Sequence, residues 1–583
     1  MTDSISKPLA VDRIESLRPA VMGTRHMAVA GHYGAAHAAF AMLEAGGNAV
    51  DAGVAAGIAL GVLQSDLVNV AGVAPIIVYQ AATRQVLTIS GLGTWPRAIT
   101  PGYFVERHGG SIPHGVLRTV VPAAPDAWIT ALERFGTRSF GECAAAAIRF
   151  ASDGFPMYAL MSEMIALHAD DYRRWPSSAA IYLPGGAPPR PGERFVQHDL
   201  GRTLQYMADE ERAASPKGRA AGLQAARDAF YRGDIARAIV AYHREHDGLL
   251  TLEDLAGFRV SVEPPVRTRF GALDVHACGA WCQGPAFLEM LNILAGMDLR
   301  AMGHNSLDYV HALTETIKLA FADRERYFGD PRFVDVPVDT LLSPAYAAER
   351  RTLLRMDRAW PALPPAGEAG ASARVEAPKA TRQRAAAGAH DTSCVSVIDR
   401  DGNAFVATPS DPSYDTPVIP GTGLCPSSRG SQSWADPAHP SSVAPGKRPR
   451  LTPMAALAFM PDGGPLPLAT PGGDVQAQAL LQVLLNMSVF GMNPQQAVEA
   501  PRFASYSFPD SFEPHSYSPG LLYVEDRIPA AVRDGLAARG HDVALWPDFV
   551  WRAGAVCVQR VDRANGVIAA GADPRRPCYA VGW

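Results

Sequence analysis

Ala389-His390-Asp391-Thr392-Ser393-Cys394-Val395-Ser396-Val397-Ile398-Asp399-Arg400-Asp401-Gly402-Asn403 joins two segments of opposite character. Upstream, residues 357–391 are crowded with Ala, Pro, Gly and Arg, including Pro361, Pro364, Pro365, Gly367, Gly370 and Pro378. Such a stretch buries too little apolar surface to offset its ordering entropy, so it reads as a mobile linker. Downstream, Cys394 to Asp399 and Ala404 to Thr408 are apolar runs rich in β-branched residues, and the Asp401-Gly402 between them signals a hairpin. A strand therefore starts almost at Thr392, and three consecutive potential nucleophiles, Thr392, Ser393 and Cys394, stand at the junction.

A hydroxyl is a weak nucleophile at its free pKa and needs a neighbouring base. If the chain is cut between Asp391 and Thr392, the new α-amino group, with a pKa of about 7.7–8.0, is substantially neutral near pH 8 and takes the hydroxyl proton. One residue then supplies both nucleophile and base. On residue type alone the more ordinary reading is a Thr that opens a half-buried strand, and spacing does not decide between the two.

Working outward, Gly34 to Leu63 is Ala-rich with apolar residues at three- and four-residue intervals, and Gly46-Gly47-Asn48 interrupts it, which predicts two consecutive helices. Ala74 to Tyr79 and Gln85 to Ser90 form a second hairpin pattern. Ser306 to Tyr327 places Tyr309, Leu313, Ile317, Leu319 and Ala320 on one face of an amphipathic helix. Tyr172 to Glu193 reads as a Pro- and Gly-rich surface loop. Helices and hairpins alternate without the rhythm of a parallel sheet.

The 583 residues carry 48% hydrophobic and 19% charged residues, an ordinary globular balance. A net charge of -5 offers no basic surface for phosphates, so nucleic acid is not an expected partner. The longest apolar stretch, Ala52 to Leu63, falls short of the roughly 20 residues needed to span a bilayer, so no membrane association is expected. Residues 1–25 mix charges with isolated apolar residues and lack an export signal's apolar region, which predicts a cytoplasmic protein. The seven cysteines are scattered and are expected to be reduced. Cys278 and Cys282 lack a second pair at zinc spacing, so neither metal nor cofactor is expected.

Several collinear phrases resemble the gamma-glutamyltransferase family. Leu43-Glu44-Ala45-Gly46-Gly47-Asn48-Ala49-Val50-Asp51-Ala52 looks like its opening helices, and Phe230-Tyr231-Arg232-Gly233, Ala322-Asp323-Arg324 and Gly329-Asp330-Pro331 follow in order. Val397-Ile398-Asp399-Arg400-Asp401-Gly402-Asn403, Gly446-Lys447-Arg448-Pro449, Pro471-Gly472-Gly473, Ala500-Pro501-Arg502-Phe503 and Asp573-Pro574-Arg575 continue the likeness to the C-terminus.

The resemblance implies an α+β fold of the αββα N-terminal-nucleophile type. It also implies self-cleavage into a large subunit, residues 1–391, and a small subunit, residues 392–583, which remain together as a heterodimer. Thr392 is the implied nucleophile, Ser410 stands where the family has a Thr partnering it, and Gly472 and Gly473 match the glycine pair whose N–H groups form the oxyanion hole. Such preorganised donors face the oxygen that becomes negative in the tetrahedral intermediate.

Departures fall in the substrate pocket. Leu92 stands where the family has an Arg that clamps the substrate α-carboxylate, Gln432 where it has an Asp for the α-amino group, and Leu451-Thr452 where it has a Ser pair. Arg97 or Arg429 is a candidate replacement anion contact, although an Arg in such a loop is more often simply solvated. Trp281, Gln283 and Asp474 border the implied pocket. The reading is therefore an amide hydrolase or acyltransferase for a small-molecule amide with a non-standard acyl group. The alternatives are a true gamma-glutamyltransferase or glutathione hydrolase, a cephalosporin acylase-like or oxamate amidohydrolase-like enzyme, and an inactive scaffold.

Overall fold

The computed structural model describes residues 16–370 and 392–583. Two seven-stranded sheets dominate it. The first runs Tyr579–Gly582, Met27–Ala30, Val395–Ile398, Ala404–Ala407, Ile76–Gln80, Gln85–Ile89 and Val262–Glu263, with every neighbouring pair antiparallel. The second runs Val21–Gly23, Val567–Ala572, Cys557–Asp562, Pro465–Ala469, Ala456–Phe459, Leu273–Ala277 and Val266–Phe270, also antiparallel throughout.

Alternate side chains of a strand point to opposite faces. In the first sheet Ala28, Ala30, Ile76, Val78, Val395, Val397, Phe405 and Ala407 face one core, shared with the helices Tyr33–Glu44 and Ala49–Leu63. Met27, Val29, Ile77, Tyr79, Ile398, Ala404 and Val406 face a second core, shared with Val275, Leu457, Leu468 and Val558 of the other sheet. The helices Gly284–Leu294, Leu307–Tyr327 and Gln476–Ser488 contribute to this second core, with Gly284–Leu294 and Gln476–Ser488 against strands of the second sheet. The result is the αββα sandwich. Both faces of the inner strands are covered, which is why they read as continuous apolar runs rather than alternating ones.

The junction hairpin is locked from its turn. Asp399 Oδ1 accepts the N–H groups of Asp401 and Asn403, while Oδ2 accepts Ala49 N–H at 2.9 Å, tying the turn to the start of a helix. That helix is capped by Asn48 and Asp51 in a reciprocal capping box. It lies so close to the sheet that a Cβ on Gly53 would sit 2.0 Å from the Phe405 ring, so only glycine fits there.

Three expectations are corrected. Residues 172–193 are not a surface loop throughout, because Ala169–Arg173 and Pro176–Tyr182 are helical. Their buried Tyr172 and Tyr182 rings stack at 4.5 Å, an apolar anchor that outweighs the Pro and Gly content. The helix Leu307–Tyr327 is buried nearly all round rather than on one face. Its charges are matched internally, Lys318 with Glu315 at 2.7 Å and Asp323 with Arg350 at 3.0 Å. The start of the expected linker is also held down: Trp360 N–H donates to Glu315, Gly367 N–H to Asp323 and Ala369 N–H to the Tyr327 hydroxyl. The remainder, with Asp391, lies outside the described residues. All seven cysteines are buried free thiols, and among the described residues no helix is long and apolar enough to cross a membrane.

Candidate active site

Of the three consecutive nucleophile-bearing residues, each side chain has a different fate. Thr392 bridges to Ser410 across the strand ends, and Thr392 Oγ1 lies 2.9 Å from Ser410 Oγ. Ser393 Oγ is directed at Gly31 and has no hydrogen-bond partner among the described residues. Cys394 points into the inter-sheet core, 3.1 Å from Cys557 Sγ, and burial pushes its thiol pKa up, so it is held as an inert thiol.

Two groups that can only donate fix the polarity around this pair. The Gln476 side-chain N–H₂ donates to Thr392 Oγ1 at 3.2 Å, while the Gln476 carbonyl accepts Met454 N–H at 3.2 Å and so fixes which end of the amide faces Thr392. Arg429 donates to Ser410 Oγ. Both oxygens thus accept from outside the pair, and either hydroxyl can donate to the other. Arg576 donates to the Thr392 carbonyl at 3.4 Å.

Arg429 is fully buried, unlike the solvated Arg expected of such a loop, whereas Arg97 is exposed. Its guanidinium lies 3.3 Å from Asp411 and over the Phe512 ring. Asp411 has φ of 119°, a left-handed conformation costly for a non-glycine residue. It is over-determined by Ser427 Oγ at 2.7 Å, Ser428 N–H and Oγ at 2.9 Å each, and Asn69, whose amide donates to the Asp411 carbonyl at 2.8 Å. Burial pushes the Asp411 carboxyl up, and Arg429 and the serine donors pull it back.

Gly472 and Gly473 lead into the turn that starts the helix Gln476–Ser488, so they sit close in sequence to the residue that touches Thr392. Their φ values of 124° and 55° favour glycine. The Pro471 carbonyl accepts Thr470 Oγ1 at 2.9 Å and the Gly472 carbonyl accepts Val475 N–H at 2.9 Å. Because C=O and N–H point oppositely across a trans peptide, these bonds turn the N–H groups of both glycines the other way. The Gly473 carbonyl is held by Gln283 at 3.1 Å.

The remaining pocket candidates are mutually engaged. Gln432 donates to Thr452 Oγ1 at 2.9 Å and accepts Thr452 N–H at 3.4 Å. Asp474 pairs with Arg324 and accepts Ser511 N–H and Oγ at 2.8 and 2.7 Å. Trp281 donates to Glu263 at 2.8 Å. Leu92 is buried in the inter-sheet core. Among the described residues no cluster of His, Cys, Asp or Glu is arranged to hold a metal ion. Sequence reasoning missed Gln476, Asp411 and Arg576. Gln476, three residues beyond the glycine pair on the first turn of a helix, was the one with a readable signal.

A four-layer αββα sandwich with a Thr at the mouth of an inner strand is the architecture of an N-terminal-nucleophile amidohydrolase or acyltransferase. The chain belongs to the gamma-glutamyltranspeptidase family, whose sequence pattern matches residues 35–583. It is 33% identical to the Acylase ACY 1 proenzyme of Pseudomonas sp. (strain SE83), over 93% of this chain and 92% of that protein. It is 29% identical to the Glutathione hydrolase-like YwrD proenzyme of Bacillus subtilis (strain 168), over 97% of this chain and all of that one. The crystal structure of cephalosporin acylase from Bacillus halodurans superposes with a TM-score of 0.84 at 27% identity, covering 100% of this chain and 99% of that one.

Proposed function

We propose that this chain is a proenzyme that cleaves itself before Thr392, and that the exposed Thr392 then hydrolyses or transfers the acyl group of a small amide. In the first step Thr392 Oγ1 attacks the Asp391 carbonyl carbon, the peptide C–N bond breaks as the nitrogen takes a proton, and an ester results. Water hydrolyses the ester, freeing the Asp391 carboxylate and the Thr392 α-amino group. Residues 1–391 and 392–583 remain associated, because each sheet is built from hydrogen-bonded strands of both halves.

In turnover the α-amino group accepts the Thr392 hydroxyl proton as Oγ1 attacks the substrate carbonyl. The N–H groups of Gly472 and Gly473 face the developing oxyanion. The amine leaves with the proton, and water or a second amine releases the acyl group. Ser410 and Gln476 hold Oγ1 in line, and Arg429 fixes Ser410.

The observation that carries this reading is the distribution of partners over Thr392, Ser393 and Cys394. Only the first lies within a network of fixed donors. Intact-mass analysis of purified protein tests it: a small subunit beginning at Ser393 or Cys394, or a persistent single chain, overturns it.

The acyl pocket is proposed to favour an uncharged acyl group. Gln432 and Thr452 satisfy one another as neutral partners, Leu92 offers no cation, and the Arg429 charge is countered by Asp411. This supports an acylase for simple amides over an enzyme for the zwitterionic glutamyl headgroup. Rates on glutathione and on simple acyl amides distinguish them.

A further inference from the structure

Lys447 stands apart from the chemistry at Thr392. It is only 3% exposed, yet it lines a cavity of about 440 Å³ whose other walls include Tyr327, Phe333, Val334, Pro440 and Val443. Its ammonium donates to Ser442 Oγ at 3.1 Å, and among the described residues no carboxylate lies within ion-pair distance of it. An ammonium has three donors, and a buried one left with a single neutral partner forfeits most of its hydration.

Two of the neighbouring charges, Asp330 and Arg326, are already matched. Asp330, the acid that acts on Lys447 electrostatically, is engaged by Arg332 at 2.6 Å and by Arg448 at 2.9 Å. Arg326, also on the cavity wall, is held in a two-point pair by Glu368 at 2.8 Å. His439 accepts Ser441 N–H, and burial lowers its pKa to about 4, so it is neutral at pH 7. Asp335 lines the cavity as an exposed acid. Burial lowers the Lys447 pKa to about 8, which leaves it mostly protonated at pH 7.

We infer that this cavity is a second ligand site, which takes a small monocarboxylate with an apolar body. The carboxylate binds Lys447 Nζ and Ser442 Oγ, and the body lies against Phe333, Val334 and Val443. A charge-assisted bond to the ammonium restores what burial removed. Inorganic phosphate fits less well, because Arg326, the other cation on the wall, is paired with Glu368, and Asp335 adds a negative charge that a dianion meets more strongly than a monocarboxylate does.

Calorimetric titration of the purified protein with hexanoate at pH 7 tests this, with hexanamide and inorganic phosphate as comparators. Saturable binding of hexanoate is expected, at least tenfold weaker for both comparators. Lys447→Met should weaken hexanoate binding at least tenfold. Ser442→Ala, which keeps the cation, should weaken it severalfold and serves if Lys447→Met does not fold. Equal binding of hexanamide, phosphate as tight as hexanoate, unchanged binding in Lys447→Met or Ser442→Ala, or no saturable binding of hexanoate overturns the inference. Because hexanoate also resembles a reaction product, loss in the Lys447 variant separates this cavity from Thr392.

Discussion

Thr392 Oγ1 and Ser410 Oγ lie 2.9 Å apart, each also receiving a hydrogen bond from a donor nitrogen, Gln476 Nε2 on one side and the Arg429 guanidinium on the other. The arrangement orients the Thr392 hydroxyl without taking its proton, because neither outside donor nitrogen can accept one.

Processing is the first consequence. Purified protein is expected to resolve into fragments spanning residues 1–391 and 392–583, and Thr392→Ala is expected to remain one inactive chain, since the attacking oxygen is gone. Intact-mass spectrometry reads both outcomes, and a cleaved Ala variant refutes the assignment of Thr392.

Gln476→Leu should lower kcat by about tenfold or more with little change in KM, because one hydrogen bond to the nucleophile is worth about 1–2 kcal/mol and 1.4 kcal/mol is tenfold. It also leaves Met454 N–H unpaired. Gln476→Glu keeps that acceptor and loses the donor, so a kcat loss shared by both variants isolates the contact with Thr392. Unchanged kcat in both removes Gln476 from the mechanism.

Asp411→Ala should destabilise the protein by about 3 kcal/mol or more, the range for breaking a buried ion pair from one side. Three donor groups lose their acceptor and Arg429 loses its counter-charge. Thermal melting would show a clear fall in Tm, and activity should fall with it, because Arg429 holds Ser410. A variant melting like the parent contradicts this account.

Glutathione and gamma-glutamyl anilides should be poor substrates, with kcat/KM below about 10⁴ M⁻¹s⁻¹, the lower end of the range for good enzyme substrates. A zwitterionic headgroup entering this site must exchange hydration for charged partners, and Gln432, Thr452 and Leu92 supply none. Steady-state kinetics beside simple acyl amides checks the order of preference.

Acid should weaken the fold before the carboxylates titrate. Burial lowers His32 to about 3 and His243 to about 4 from an ordinary 6.5. Between pH 6.5 and these values the unfolded chain takes protons that the folded chain refuses, so stability is fully present above pH 6.5 and falls as pH drops, by about 1.4 kcal/mol per pH unit for each histidine. Melting at pH 7 and pH 5 should show the fall, and His243→Leu should reduce it. An identical pH dependence in that variant removes His243 from the explanation.

The sequence by itself determined the elements around the junction. Asp399 to Asn403 is a short-range turn, the apolar runs flanking it are strand-forming wherever they pack, and Gly46-Gly47-Asn48 ends one helix and caps the next. These are local properties, carried by backbone conformation and residue spacing. It also determined, through collinear motifs, the family and the sandwich. What only the tertiary structure decided is which polar groups meet. Gln476 and Thr392 are 84 positions apart, and Thr392 and Arg576 184. Asp411 carries no signal along the chain, and Arg429 reads as a solvated loop Arg, yet in the folded chain both are buried against each other. Hydrogen bonds are short and directional, so no periodicity along the chain encodes a contact made across two sheets. Residues 357–370 and the helices at 169–182 fell the same way: their composition favours loops, and the surfaces they cover, visible only in the folded chain, hold them in place.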